Sequence, residues 1–231
     1  MVVDCGGTRK MNNIAENIAG ILSKHAEEQF TLVAVSKTKP ASDIQTAYDT
    51  GHRQFGENKV QELVEKHEQL PKDIEWHMIG HLQRNKVKYI APFVHLIHGI
   101  DSLRLLKQVN KEGEKINRQI PCLLQVHIAK EETKFGFAAD EIRQLFKDGL
   151  VEEMPFVSIK GLMGMATNTQ DMEVVKSEFD GLKALYDEIG HSINLEHLSM
   201  GMSGDYPLAL SCGSNMIRVG SAIFGHRNYA K

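Results

Sequence analysis

Short β-branched, apolar runs alternate with segments of helical periodicity along almost the whole chain, and this alternation constrains the fold more than any other feature. Each run is followed by a helix or by a connection long enough to contain one. Strict β/α alternation implies parallel strands joined by right-handed crossovers, and eight such units close into a (β/α)8 barrel. The eight predicted strands are 31–36, 53–57, 75–80, 94–100, 121–128, 158–165, 195–201 and 216–225.

The predicted architecture is an α/β fold with a single (β/α)8 TIM barrel, for which 231 residues is a compact but sufficient length. A doubly wound open sheet is the alternative, although the chain has neither a GxGxxG fingerprint nor a P-loop motif. The barrel is expected to span residues 12–231. Residues 1–11 end at a second methionine and are expected to form an N-terminal extension outside the folded domain. The first helix is expected within 12–29, with a buried stripe of Ile14, Ile18, Ile21 and Leu22.

Charge and hydropathy argue against several kinds of partner. The 27 basic and 30 acidic residues give a net charge of −3, which offers no electrostatic basis for binding nucleic acid or an anionic membrane. No apolar run approaches the roughly 20 residues of a membrane span. The first ten residues lack the apolar core of a signal peptide, so a cytoplasmic protein is expected.

The cysteine and histidine patterns predict neither a disulfide framework nor a metal site. Cys5, Cys122 and Cys212 form no CxxC pair, and their number is odd. They are expected to be small buried side chains in a reducing compartment. His77 and His81 lie in a strand and at its exit rather than on one helix face, so a shared metal ion is not expected.

In a (β/α)8 barrel, functional groups lie where strands end and βα loops begin. Lys37 directly follows the first predicted strand, "TLVAVS". Partial burial disfavours the ammonium form of a lysine, and a neutral amine can form a Schiff base with an aldehyde. The local sequence also fits a lysine that reaches out to solvent, and it does not exclude Lys39 as the reactive amine. The other candidates at strand exits are Glu57, Asn58, Gly80, His81, Asp101, Met163 to Met165, Ser199 to Ser203 and Arg218 to Ser221.

The exits of the last two predicted strands indicate a phosphate site, because loops after strands seven and eight frequently bind phosphate in such barrels. The seventh strand leads to the Ser203 hydroxyl, and the eighth leads to Gly220 and Ser221, whose backbone N–H groups can approach a phosphate. An aldehyde combined with a phosphate suggests pyridoxal 5′-phosphate (PLP). Arg218, on the same strand face as Gly220, is the available neighbour for the pyridine nitrogen. An arginine there donates to an unprotonated nitrogen and leaves a weaker electron sink than an aspartate would.

Six sequence blocks resemble those of the pyridoxal phosphate homeostasis proteins. In order, they are "AVSKTKP", "QFGENKVQE", "WHMIGHLQRNK", "GLMGM", "LSMGMSGD" and "IRVGSAIFG". The resemblance covers about residues 12–229 and keeps the family's order and spacing. It implies a single barrel similar to the N-terminal domain of alanine racemase, with PLP held as an internal aldimine.

The resemblance assigns roles by motif. It makes Lys37 the aldimine lysine, which decides against Lys39, and it places Arg218 at the pyridine nitrogen. The other implied contacts are Asn58 beside the ring and, at the phosphate, Ser203, Gly220 and Ser221.

Two positions depart from the family pattern. The family commonly has a tyrosine where this chain has Lys59, and a threonine where it has Ser221. The serine keeps a hydroxyl and a backbone N–H, so phosphate binding should survive. Lys134 and Gly136 match a further family block, in the loop after the fifth predicted strand.

The resemblance implies a non-catalytic protein that stores or transfers PLP within vitamin B6 homeostasis, with apo forms of PLP-dependent enzymes as partners. An amino-acid racemase is the alternative, and a phosphate-binding barrel enzyme without PLP is a third. Racemases of this fold type use an acid or base on each face of the substrate, commonly the lysine and a tyrosine from an added β domain. No sequence for that domain follows the eighth strand, although Tyr206 could substitute for the tyrosine. A carrier is therefore expected, and a monomer.

Overall fold

Eight parallel strands form a closed barrel in the order β1 to β8 in the computed structural model, which describes residues 13–131, 134–191 and 193–225. The (β/α)8 prediction is confirmed, and the open-sheet alternative is wrong. The barrel closes where the first strand pairs with the last, with Leu32 opposite Ile217 and Val33 opposite Arg218. The strands are β1 (Thr31–Val35), β2 (Gln54–Glu57), β3 (Glu75–Met78), β4 (Leu96–Ile100), β5 (Ile120–Val126), β6 (Val157–Gly164), β7 (His197–Ser199) and β8 (Met216–Val219).

Helices cover the outside of the barrel, since a parallel sheet has two faces to shield from water. In the described chain, one helix precedes the first strand, one lies between each pair of successive strands, and a short one follows the last strand. A short 3-10 turn, Arg84–Lys86, precedes α4. The helices are α1 (Ile14–Lys24), α2 (Ala41–Asp49), α3 (Val60–Gln69), α4 (Val87–Ile90), α5 (Leu103–Lys115), α6 (Ala139–Lys147), α7 (Met172–Gly190), α8 (Tyr206–Ser211) and α9 (Ser221–Phe224).

Alternation along each strand divides the core into two apolar clusters. In β1, Leu32 and Ala34 pack under the helices, whereas Val33 and Val35 belong to the cluster inside the barrel. The same alternation places Arg218 and Met216 on the inner face of β8. The inner cluster consists of Val33, Val35, Ile79, Leu96, Leu123, Met163 and Met216, with Met165 packed against it.

The sheet is irregular at one point, between β5 and β6. Cys122 pairs with Ile159, but the next residue, Leu123, pairs with Gly161, so Lys160 is an extra residue in β6. Gly161 itself pairs with His197 in β7. The two backbones approach so closely there that a Cβ on Gly161 would lie 1.7 Å from the His197 carbonyl oxygen.

Several element boundaries differ from the prediction. The eighth strand ends at Val219, and residues 221–224 form α9 instead of continuing the strand. The first helix is shorter than 12–29, and Leu22 is 42% exposed rather than part of the buried stripe.

The remaining general predictions have mixed outcomes. Cys122 and Cys212 are buried as predicted, and burial raises the pKa of the Cys122 thiol. Cys5 and the predicted extension 1–11 lie outside the described residues. Among the helices of the described part of the chain, none is long and apolar enough to cross a membrane.

Candidate functional site

A cavity of about 540 Å³ opens at the C-terminal end of the barrel, and we call it the mouth cavity. All six residues predicted to contact the cofactor line it, although they come from four different βα loops or strand ends. Its polar lining is Lys37, Lys39, Asn58, Ser203, Arg218 and Ser221, and its apolar lining includes Val35, Ile79, Met165 and Met202. Gly220 completes the predicted set.

Lys37 reaches the mouth cavity because it continues the alternation of β1. Val33 and Val35 face the barrel interior, and Lys37 lies two residues further along the chain. Its side chain is half-buried and lines the cavity. Lys39 also lines the cavity, but its Nζ donates to the carbonyl oxygens of Phe224 and Gly225 at 2.8 and 3.2 Å. The Lys39 amine therefore ties the β1 loop to the end of α9.

Two hydrogen bonds fix the peptide groups on either side of Lys37. The carbonyl of Ser36 accepts from Lys66 Nζ at 2.8 Å, and the N–H of Thr38 donates to Glu62 Oε1 at 2.5 Å. Thr38 has φ +65°, a left-handed conformation that is unfavourable for a β-branched residue. The strained turn that carries Lys37 is thus held in place from α3.

The groups that hold this turn form a buried ionic cluster, which we call the Lys66 network. Lys66 Nζ lies 2.7 Å from both Glu57 Oε1 and Glu62 Oε1. Glu57 is fully buried, and its Oε1 also accepts from the Ser36 hydroxyl at 2.6 Å. Burial raises the pKa of Glu57, and Lys66 and Ser36 oppose that rise. Glu57, predicted as a mouth residue, therefore supports the Lys37 turn without lining the mouth cavity.

The loops after β7 and β8 meet at Ser203. Its Oγ accepts from the backbone N–H groups of Gly220 and Ala222 at 3.2 and 3.4 Å. A Cβ on Gly220 would lie 3.2 Å from the Val35 carbonyl oxygen, so a side chain there would crowd the end of β1. Ser221 is exposed at the start of α9. The two hydroxyls and the adjacent backbone N–H groups form the polar side of the cavity.

Arg218 contributes a buried guanidinium. Its Nη1 donates to the carbonyl and the hydroxyl of Ser199 at 2.8 and 2.6 Å, and its Nη2 donates to the Gly164 carbonyl at 3.0 Å. Burial lowers the pKa of Arg218 to about 10, so it remains cationic at neutral pH. No carboxylate among the described residues forms an ion pair with it or lines the mouth cavity. The cavity accordingly carries the side chains of three basic residues, Lys37, Lys39 and Arg218.

Comparison with known proteins gives a consistent assignment. The family of the alanine racemase N-terminal domain matches residues 10–228. Two relatives named pyridoxal phosphate homeostasis protein come from Aquifex aeolicus (40% identical, covering 86% of this chain and 87% of the relative) and Escherichia coli K12 (38% identical, covering 96% and 100%). A third, from Pasteurella multocida, is 35% identical and covers 90% of this chain and 91% of its own. The chain belongs to the pyridoxal phosphate homeostasis protein family.

Solved structures agree with this assignment. PipY of Synechococcus elongatus PCC7942 superposes with a TM-score of 0.87 in the structure without PLP and 0.84 in the structure with PLP bound. It is 33% identical, and the match covers 92% of this chain and all of PipY. Alanine racemase from Bartonella henselae shares the fold, with a TM-score of 0.70 at 16% identity over 93% of this chain and 60% of the racemase. The predicted alanine racemase type of barrel is confirmed.

Several residues considered in the sequence lie away from the mouth cavity. His81 and Asp101 are 2.9 Å apart and line a second, separate cavity of about 630 Å³. Lys134 donates to the Ala166 carbonyl instead of lining the mouth cavity. Tyr206 begins α8 and packs edge-on against His25, with 5.6 Å between ring centroids. Lys59 is exposed at the N-cap of α3 and outside the cavity lining.

Sequence reasoning missed Lys66. Lys66 lies three residues after Leu63 and six after Val60, so it shares their buried face of α3. That spacing was the available signal for a buried lysine. Met202, which lies within the strand-exit candidates Ser199 to Ser203, is 40% exposed and lines the mouth cavity.

Proposed function

We propose that this protein binds PLP in the mouth cavity as an internal aldimine on Lys37 and acts in the cytoplasm as a non-catalytic carrier in vitamin B6 homeostasis. The observation that carries the proposal is the cavity's lining: two lysine amines, two hydroxyls and a buried arginine, with no carboxylate among the described lining residues. A phosphate-bearing aldehyde matches this set, since the phosphate is anionic and the amine can capture the aldehyde. The volume of about 540 Å³ is in the range of small-ligand sites.

Each polar residue has a defined role in the proposed complex. The Lys37 amine adds to the aldehyde carbon and one water is released, a reversible condensation that allows the cofactor to be handed on. The Lys39 amine donates to the carbonyl oxygens of Phe224 and Gly225, which gives it a role in holding the β1 loop to the end of α9. Arg218 can only donate hydrogen bonds, so it suits an unprotonated pyridine nitrogen. Asn58 would lie beside the ring.

The phosphate would bind where the β7 and β8 loops meet. Ser203 and Ser221 offer hydroxyls, and Gly220 lets the backbone approach closely. Serine at position 221 keeps the donors that this role requires.

The lining also supports a carrier over a racemase. Racemisation needs an acid or base on each face of the substrate, and the described lining residues include no tyrosine, histidine, aspartate or glutamate. Tyr206, the tyrosine considered as a substitute, packs against His25 instead. We propose that apo forms of PLP-dependent enzymes receive the cofactor from the monomeric carrier.

Reductive trapping tests the covalent link. Wild-type protein mixed with PLP and then treated with borohydride should carry one pyridoxyl phosphate on the Lys37 peptide, as measured by mass spectrometry. Lys37→Arg should lose this label and the visible absorption band of bound PLP, because a guanidinium cannot form the imine.

Lys59→Arg is the matched control, since Lys59 is an exposed lysine outside the cavity lining. It should label on Lys37 as the wild type does. Label on another peptide in the wild-type protein would contradict the assignment.

Isotope exchange tests the non-catalytic role. Each enantiomer of common amino acids is incubated with PLP-loaded protein in deuterated water and followed by proton NMR. We expect the α-proton signal to be lost no faster than with free PLP, because one face of the substrate lacks an acid or base. Protein-dependent α-proton exchange or racemisation would make the protein an enzyme.

A further inference from the structure

We propose that Glu75, His77 and His95 bind a divalent metal ion of the zinc class at the N-terminal end of the barrel. Glu75 opens β3, His77 lies two residues further along, and His95 directly precedes β4. One ligand atom of each residue lies within 4.8 Å of the other two. None of the three residues lines the mouth cavity, so metal binding can be tested in protein without PLP.

His77 supplies the atom that most needs a partner. Its side chain is buried, with 1% of the residue exposed, and its Nδ1 lies 2.9 Å from His98 Nε2. The other ring nitrogen, Nε2, is buried and has no hydrogen-bond partner among the described residues. Buried polar atoms normally have a partner, and a bound cation would be one.

A series of hydrogen bonds through the barrel interior determines whether the Nδ1 of His77 carries a proton. Arg218 donates to Ser199 Oγ, and His98 Nδ1 lies 3.0 Å from the same oxygen. In one proton arrangement, His77 Nδ1–H donates to His98, and His98 donates to Ser199. His77 Nε2 is then a bare lone pair. In the reverse arrangement, Nε2 keeps a buried N–H without a partner. Metal binding would select the first, in which the ligating histidine donates its other N–H.

Glu75 and His95 provide the adaptable part of the site. Glu75 Oε2 lies 3.8 Å from His95 Nε2, and both side chains are partly exposed (39% and 49%). They can therefore close around an ion that enters from solvent, while His77 stays fixed. Gln54 Nε2 donates to Glu75 Oε2 at 2.7 Å and orients the carboxylate. Two histidines and one carboxylate are a known zinc ligand set with a fourth position left for water.

Calorimetric titration of the purified full chain with Zn²⁺ tests the proposal. We expect one ion per chain, and a visible ligand-field spectrum when Co²⁺ replaces Zn²⁺. His95→Ala and Glu75→Gln should each weaken Zn²⁺ binding by roughly tenfold or more, since even the loss of a residue that only orients a ligand has an effect of that size. Both residues are partly exposed, so the variants should fold, and circular dichroism checks this.

His81→Ala is the control, because His81 is an exposed histidine paired with Asp101 at the other end of the barrel. Its affinity for Zn²⁺ should equal that of the wild type. The proposal is overturned if Zn²⁺ does not bind, or if it binds His95→Ala and Glu75→Gln as tightly as the wild type.

Discussion

Replacing Lys66 with methionine should lower the melting temperature by roughly 6–20 °C. Methionine keeps an unbranched side chain of similar length but removes the cation that lies 2.7 Å from the buried Glu57 carboxylate. Removing one partner of a buried ion pair costs about 3–5 kcal/mol, because the other charge stays buried and uncompensated. Each kcal/mol corresponds to about 2–4 °C in a domain of this size. Thermal unfolding monitored by circular dichroism gives the value.

Two further variants isolate the cause. Lys176→Met removes a half-exposed lysine from its pair with Asp180 and should melt close to the wild type, because exposed ion pairs contribute little to stability. The double variant Lys66→Met with Glu57→Gln removes both charges and should recover much of the loss. If the single Lys66→Met variant has the same melting temperature as the wild type, the Lys66 network contributes no net stability.

The loss of stability in the Lys66→Met variant should also depend on pH. Burial raises the pKa of Glu57, and without Lys66 the pKa would rise further. A carboxyl group with a higher pKa in the folded state than in the unfolded state binds its proton more tightly when folded. The stability that the folded protein gains from this tighter proton binding is fully present below the pKa of the unfolded state. It is lost as the pH rises through the pKa of the folded state. The difference in melting temperature between variant and wild type should therefore widen as the pH rises above the ordinary carboxyl value of 4.5.

Gly161→Ala should be among the most damaging single substitutions in this barrel, with a loss of more than about 4 kcal/mol or no soluble protein. The new Cβ would lie 1.7 Å from the His197 carbonyl oxygen, which is far inside any allowed contact. The obstacle is the backbone of β7, so no side-chain rotation can relieve it. Relief requires β6 and β7 to separate next to the extra residue, Lys160. Soluble yield and thermal melting measure the effect.

Gly181→Ala is the matched control. Gly181 lies in the middle of α7, and a Cβ there would meet nothing within 4 Å. Alanine in a helix interior is favoured over glycine, so this variant should gain about 0.5–1 kcal/mol. Gly161→Ala protein with a wild-type melting temperature would show that the two strands can separate at little cost.

The fold and the direction of the key side chains were predictable because both depend on local periodicity. The period of two in "TLVAVS" and "MIRV" places Val33, Val35 and Arg218 inside the barrel, and it carries Lys37 to the mouth. Strand ends were less predictable. The apolar residues 222–224 continue the composition of a strand, yet residues 221–224 form a helical turn, since short apolar runs fit either structure.

The residues that hold the site in place, without lining the cavity, were not predictable in the same way. A lysine on a helix is usually solvent-exposed. The spacing of Lys66 with Val60 and Leu63 indicates burial, but only the folded structure reveals its ion pair with Glu57. The chain that links His77, His98 and Ser199 joins residues 21 and 101 positions apart in sequence. Such contacts depend on the closed barrel, which brings β3, β4 and β7 around one interior.

The turn that presents Lys37 is not a self-contained module for protein engineering. Its geometry is imposed by Lys66 and Glu62, which belong to the next β/α unit along the chain. Transplanting only residues 31–40 onto another barrel would move the lysine without the groups that hold it. A graft of residues 31–69 would transfer the strand, the turn and both groups together. In recombination experiments with this fold, the smallest exchangeable piece that preserves Lys37 is therefore two β/α units long.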